Sequence, residues 1–331
     1  MPDDRIGITT TVPVEIIYAA GRTPVDLNNV FVADPEAPDL VAFAEKRGFP
    51  QSACAWTKGL YGAVHRHGIR EVVGVVEGDC SGTFALCEML ESEGIKVHVF
   101  GFPSSRRPDD LSARMERLAA GLGATLAAAE RMKPEFDAIR ALAGELYRLA
   151  GGGTVPSADL FNGLLNCSDF FGDPGRCRRE LEAAIAVAGR AGGGGGMIRL
   201  SCVGVPTILG DLWDVFERLG ARFVDHEVPR QFALLGGIGR GVVEAYLQYT
   251  YPYGAFARID DAGREAAARG VAGVVHYVQS FCHRRIEDRL WRERMGLPIL
   301  TLEADRPGRI DERTRTRIEA FMERMAPART T

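Results

Sequence analysis

No stretch of this 331-residue chain approaches the roughly 18–20 consecutive apolar residues that a bilayer-spanning helix needs. No Cys-x-x-Cys pair occurs, which argues against a zinc ribbon or finger. The seven cysteines are an odd and scattered set, unlike a secreted disulfide framework. Positive charge is not in excess. The 40 Lys and Arg against 44 Asp and Glu leave a net charge of −4, without the basic stripe of a general nucleic-acid binder. The opening residues, Met1-Pro2-Asp3-Asp4-Arg5, lack the charged-then-apolar layout of a secretory signal. The expectation is a cytoplasmic protein with reduced thiols, no membrane association and no nucleic-acid partner.

What is present reads as α/β. Short β-branched runs alternate with longer amphipathic stretches, the pattern of parallel strands with helical crossovers. Strands are expected at 6–10, 72–76 and 96–100 in the first half, and at 197–202, 271–278 and 298–302 in the second. Between them, Leu111, Met115, Leu118 and Leu122 recur at helical spacing. Gly151-Gly152-Gly153 interrupts that helical stretch before a restart near Pro156. The expected architecture is two Rossmann- or flavodoxin-like parallel-sheet domains, at 1–108 and 192–331, with a helical connecting region at 109–191. The glycine run at 192–196 is expected to be a flexible joint.

Three cysteines stand where a strand should give way to a helix: Cys54 in Ala53-Cys54-Ala55-Trp56-Thr57-Lys58, Cys80 in Gly78-Asp79-Cys80-Ser81-Gly82, and Cys282 in Ser280-Phe281-Cys282-His283. In open α/β sheets, ligands bind in the crevice beyond the carboxyl ends of the strands. Thiolates gathered there suit soft transition metals and iron–sulfur clusters. The alternative is that each is a small buried hydrophobe. Cys202, near a strand end, is placed to approach the same crevice. Cys87, two helical turns beyond Cys80, is expected in the core, Cys167 and Cys177 flank a turn-rich loop, and all four of these cysteines are read as structural.

Other patterns carry less. The 192–196 run is followed by Met197-Ile198-Arg199, so it is no phosphate-binding P-loop. Gly236-Gly237-Ile238-Gly239-Arg240-Gly241 has glycine spacing like a dinucleotide fingerprint but follows no convincing strand, and a loop with Arg240 open to an anion is the better reading. His65 and His67, two apart, do not share a helix face.

Taken in order, the motifs resemble the 2-hydroxyacyl-CoA dehydratase and benzoyl-CoA reductase family, in particular its D-component type of iron–sulfur subunit. The segment from Thr10-Thr11-Val12-Pro13-Val14-Glu15 to Gly21-Arg22-Thr23-Pro24 looks like the family's N-terminal signature. Cys54-Ala55-Trp56-Thr57-Lys58 resembles its first cysteine block, Gly78-Asp79-Cys80 its second, and Phe281-Cys282 with Met295-Gly296-Leu297-Pro298 its third. The arginine-rich stretch from Arg313 to Glu323 is similar to its closing helix. Ser81 follows Cys80 where many relatives carry an acidic residue, and the chain is short for the family.

The resemblance implies a [4Fe-4S] cluster held by Cys54, Cys80 and Cys282, with the fourth iron position open. It also implies a paralogous subunit or a second copy as partner, an ATP-hydrolysing iron–sulfur activator as electron donor, and an acyl-CoA substrate. The implied activity is radical 2-hydroxyacyl-CoA dehydration, a lyase reaction, or a related CoA-thioester reduction. Glu15 and Asp79 are candidate proton relays and Lys58 and Arg22 candidate cations for an anionic cluster or oxyanion, with capping and ion-pair roles equally open; Glu15 and Lys58 are the foremost catalytic candidates. Two other readings stay open: an ATP-dependent double-cubane-type reductase of a small non-thioester molecule, and a non-catalytic iron–sulfur accessory or assembly protein.

Overall fold

β-branched and aliphatic residues set the strands, and the connections between them are long enough only for parallel crossovers. The computed structural model describes residues 4–190 and 196–325. The first half runs β1 (Arg5–Ile8), α1 (Val14–Ala19), β2 (Thr23–Asp26), α2 (Leu27–Ala33), α3 (Ala37–Lys46), α4 (Ala55–Arg66), β3 (Glu71–Glu77), α5 (Ser81–Ser92) and β4 (Lys96–Gly101). Four helices follow: α6 (Pro108–Gly121), α7 (Leu126–Ala150), α8 (Ser157–Leu165) and α9 (Pro174–Arg190). The second half runs β5 (Ile198–Gly204), α10 (Leu212–Arg218), β6 (Ala221–His226), α11 (Glu227–Phe232), α12 (Val242–Leu247), α13 (Ala255–Arg269), β7 (Gly273–Val278), α14 (Asp288–Arg294), β8 (Ile299–Glu303) and α15 (Glu312–Met325).

The strands form two four-stranded sheets, parallel throughout, in the orders β2-β1-β3-β4 and β6-β5-β7-β8. The fold is therefore α/β, with two parallel sheets separated by a helix-rich region. Each half repeats one order, in which its first strand has the second on one side and the third on the other. The chain thus reverses its winding direction between β1 and β3 and again between β5 and β7. Those are the two topological switch points, where open α/β sheets leave a crevice.

Burial follows the order. All six residues of β7, a central strand, are buried, as expected of a strand covered by helices on both faces. Leu111, Met115 and Leu118 of α6 are buried, as their spacing predicts. Helix α7 stops at Ala150, just before the three glycines, and α8 restarts at Ser157 after Pro156.

Two strands escaped the sequence pattern. β2 is four residues with a proline, and it lies on a sheet edge, where a missing N–H costs no ladder bond. β6 ends in the buried polar pair Asp225-His226, which hides its strand character. Of the expected glycine joint, residues 192–195 lie outside the described residues. No helix among the described residues is long and apolar enough to cross a membrane.

Candidate functional site

Both switch points open onto one small cavity of about 70 Å³. Its wall is built from the residues that follow the four strands concerned: Thr9 and Thr10 after β1, Asp79 and Cys80 after β3, Val205 and Pro206 after β5, and Cys282 to Arg284 after β7. Cys54, Trp56 and Thr57 at the start of α4 join them, with Tyr251 and Phe232 from the second half. All three cysteines singled out in the sequence therefore line the same cavity, two from the first half and one from the second. They are the partly exposed cysteines of the chain, whereas Cys87, Cys167, Cys177 and Cys202 are buried.

Each of the three sits at the N-cap of a helical segment: Cys54 before α4, Cys80 before α5, and Cys282 before a 3₁₀ turn at His283–Arg285. First-turn amides of a helix have no intrahelical partner, so they face a sulfur placed at the cap. The N–H groups of Trp56 and Thr57 act on Cys54, those of Gly82 and Thr83 on Cys80, and that of Arg284 on Cys282. Burial opposes them and is the stronger effect. It pushes the Cys54 thiol up to about 12 and raises Cys80 and Cys282 as well, with the sulfurs repelling one another as anions. Without a bound cation, burial therefore keeps the three groups as neutral thiols.

Local contacts hold the sulfurs in place. Gln279, just past β7, accepts from Cys54 Sγ at 2.9 Å and from the Ala55 N–H at 2.8 Å, which ties the second half to the start of α4. Its Nε2 is buried and has no partner among the described residues. Ser280 is fixed on Asp305 by its N–H and hydroxyl, at 2.8 and 2.6 Å, and this clamps the loop that carries Cys282. Thr83 Oγ1 donates to Asp79 Oδ2 at 2.8 Å beside Cys80. Glycine is required at two points: Gly78 has φ +89° and approaches Pro252, and a Cβ on Gly82 would stand 2.9 Å from Thr57 Oγ1 and 3.3 Å from Cys80 Sγ.

One cation belongs to the wall. Arg284 is 4% exposed, donates from Nη2 to Tyr251 O at 2.9 Å, and stacks 4.2 Å over the Tyr251 ring. Behind it, Glu287 lies 3.4 Å from Arg284 and 3.2 Å from Arg258, which is itself buried against Glu227 at 2.6 Å. The sequence reading passed over Arg284; the run His283-Arg284-Arg285 directly after a cysteine was the signal for it.

Of the remaining sequence candidates, all but Asp79 lie elsewhere. Lys58 is buried, but its ammonium is held by Glu45 at 2.7 Å and the Gln51 carbonyl at 3.0 Å, and it does not line the cavity. Glu15 is fully buried and pairs with Arg140 at 2.6 Å, while Tyr246 donates to its other oxygen at 3.0 Å; it too is outside the cavity. Arg22 pairs with Glu71 at 2.6 Å. Asp79 does line the cavity, and burial raises its pKa despite its bonds to Thr83 and the Cys80 N–H. Cys202 stands two residues inside β5, paired with His226 and Val275, and the strand runs on to Gly204 before the crevice is reached. Gly236–Gly241 follows helical turns and no strand.

No group of three His, Cys, Asp or Glu residues among the described residues is grouped to hold a metal ion. A single ion with bonds of about 2.3 Å would draw three thiolates onto one point. A cubane offers a different iron to each thiolate and keeps them apart. The donor set fits such a group: thiols only, each at the N-cap of a helical segment, a cation in the wall, and no other ionisable group of the cavity wall bonded to a sulfur.

No curated protein matches the chain. The family model described as 2-hydroxyglutaryl-CoA dehydratase, D-component, matches residues 9–325. That span includes all three cavity cysteines and every strand but β1, and the chain belongs to the 2-hydroxyglutaryl-CoA dehydratase D-component family.

Proposed function

We propose that the chain is the iron–sulfur subunit of a radical 2-hydroxyacyl-CoA dehydratase, or of a closely related CoA-thioester reductase, with Cys54, Cys80 and Cys282 as ligands of one [4Fe-4S] cluster. The observation that carries this reading is the meeting of those three thiols at one cavity between the two switch points. When bound, the cluster supplies a low-potential electron to a thioester carbonyl, the chemistry by which a neighbouring hydroxyl becomes able to leave.

The chain's own residues prepare that site. The first-turn amides of α4 and α5 stabilise charge on the sulfurs and so tune the potential. Arg284, fixed by Tyr251 and Glu287, offsets the negative charge of three thiolates in a wall of low polarity. Cys80 and Cys282 are held from opposite halves, so the relative placement of the two sheets sets the ligand geometry. Cys87 and Cys202 lie outside the cavity, which leaves three thiols and favours a single cluster over a double cubane. Lys58 and Glu15 support the first half through their ion pairs, and Asp79 is the carboxyl placed to hold a proton at the cavity.

The partners of this reading are a paralogous subunit or a second copy and an ATP-hydrolysing iron–sulfur activator, in the cytoplasm. The test is anaerobic incubation of the chain, with its partner subunit, the activator and ATP, on a panel of 2-hydroxyacyl-CoA thioesters. Mass loss of one water to give the enoyl-CoA, dependent on ATP and abolished by Cys282→Ala, is expected. Turnover that survives the substitution would refute it.

A further inference from the structure

Two buried N–H donors near Cys54 have no acceptor among the described residues: Nε1 of Trp56 and Nε2 of Gln279. A buried donor left unpaired costs free energy, so a fold keeps one only where a water or a ligand completes it. An indole nitrogen can only donate, and so can an amide NH₂. Both groups therefore call for an acceptor that the described residues do not supply.

The two belong to the same corner of the cysteine cavity. Trp56 lines the cavity and stands two residues past Cys54, in the first turn of α4. Its ring packs T-shaped against Phe31, with centroids 5.3 Å apart and planes at 79°. Phe31 is fully buried, and it comes this close because the next turn of α4 carries Gly59, where a Cβ would stand 2.5 Å from the Phe31 ring. The indole is thus braced by the core. Gln279 is 1% exposed, and its Oε1 already accepts from Cys54 Sγ and the Ala55 N–H. Its Nε2 is the atom of that amide left open.

Oxygens of the same wall are engaged elsewhere. Thr9 O accepts from Asn28, Asp79 Oδ2 from Thr83, and Tyr251 O from Arg284. Leu60, Leu86, Val205, Pro206 and Phe232 make much of the rest of the wall apolar. Cys80 is served differently. Thr83 Oγ1 lies 3.8 Å from its sulfur, but the Thr83 hydroxyl donates to Asp79. Open side-chain N–H donors thus gather at Cys54, and the acceptor that suits them is sulfur of the guest.

We propose that Trp56 and Gln279 donate hydrogen bonds to sulfur of the bound cluster at its Cys54 corner and so raise its reduction potential. The inference rests on the proposed [4Fe-4S] reading and adds two side chains that tune the group. A reduced cluster carries one more negative charge than an oxidised one, so N–H donors stabilise it more and move the couple upward.

The test is a redox titration, followed by electron paramagnetic resonance, of the full chain after anaerobic reconstitution, with iron and sulfide counted in each sample. Trp56→Phe keeps a ring against Phe31 and removes the donor; Gln279→Met removes the amide. Each variant should keep full iron and sulfide and titrate lower. The expected change is about tenfold less reduced cluster at a fixed potential, about 59 mV for a one-electron couple. Tyr253→Phe is the control: it removes another orphaned buried hydroxyl, from a residue that does not line this cavity, and should titrate as the wild type. Trp56→Phe and Gln279→Met chains with full iron at the wild-type potential, or an equal shift in the control, would overturn this inference and leave the cluster reading standing. A wild-type chain that takes up no iron and sulfide would overturn both.

Discussion

Replacing Glu15 with glutamine should unfold this protein more readily without touching the cysteine cavity. Glu15 on α1 accepts from Arg140 of α7 at 2.6 Å and from Tyr246 of α12 at 3.0 Å, and Tyr246 also donates to the Val12 carbonyl at 2.7 Å. Three segments far apart in the chain are thus joined at a point with 0–1% exposure. Arg140 has only one further carboxylate, Asp137, at 3.5 Å, and its Nε and Nη2 have no partner among the described residues. Removing the Glu15 charge leaves a buried guanidinium poorly compensated, which costs about 3–5 kcal/mol. Arg140→Met added to Glu15→Gln removes the stranded charge, so the double variant should fall short of the summed losses by about 1–3 kcal/mol. Urea denaturation followed by tryptophan fluorescence reads these differences, with iron content per folded chain as the parallel readout. A Glu15→Gln protein of wild-type stability, or one that folds normally but loses iron, would refute the structural role and return Glu15 to the site.

Other outcomes follow from single contacts. Gly78→Ala forces a Cβ to 2.6 Å from Pro252 at φ +89° and should cost about 2–4 kcal/mol in the same denaturation assay; a neutral change would mean the two halves meet differently at this loop. Asp169 is raised to about 7 by burial and by the adjoining Asp26 carboxyl, so the folded state holds a proton that the unfolded chain releases above pH 4. Stability from this group is full below about pH 4 and is lost as pH rises towards 7, by at most about 4 kcal/mol. Asp169→Asn should flatten that part of a pH–stability curve, and an unchanged slope would contradict the shift. Gln279→Leu deletes the acceptor shared by Cys54 Sγ and the Ala55 N–H and should lower thermal stability by removing a tie between the halves; a wild-type melting curve would show the tie to be dispensable.

Much of the site was legible because it depends on local order. Cys80 and Cys282 stand where a strand gives way to a helical turn, as the sequence pattern predicts, and such positions converge at the strand ends of parallel sheets; Cys54 departs from that expectation, since it lies between α3 and α4 with no strand before it, and reaches the cavity as the N-cap of α4. The family resemblance added the expected ligands. What was not legible depends on distant partners. Lys58 looks like a free cation until Glu45 closes over it, and Glu15 looks like a proton relay until Arg140, 125 residues on, pairs with it. Cys202, read as structural, is buried inside β5, which continues two residues past it to Gly204. β2 and β6 were missed for related reasons: an edge strand tolerates proline, and a strand end that carries a buried ion-pair partner such as Asp225, 3.1 Å from Arg230, does not look apolar.

The central claim is that Cys54, Cys80 and Cys282 hold one cluster. Its most direct test is iron and acid-labile sulfide per chain after strictly anaerobic purification, for the wild type and for Cys54→Ala, Cys80→Ala and Cys282→Ala, with Cys87→Ala as control. About four iron and four sulfide per chain, lost in each of the three variants and kept in the control, is the predicted result. Full iron and sulfide retained in the three variants, or none in the wild type after reconstitution, would contradict it.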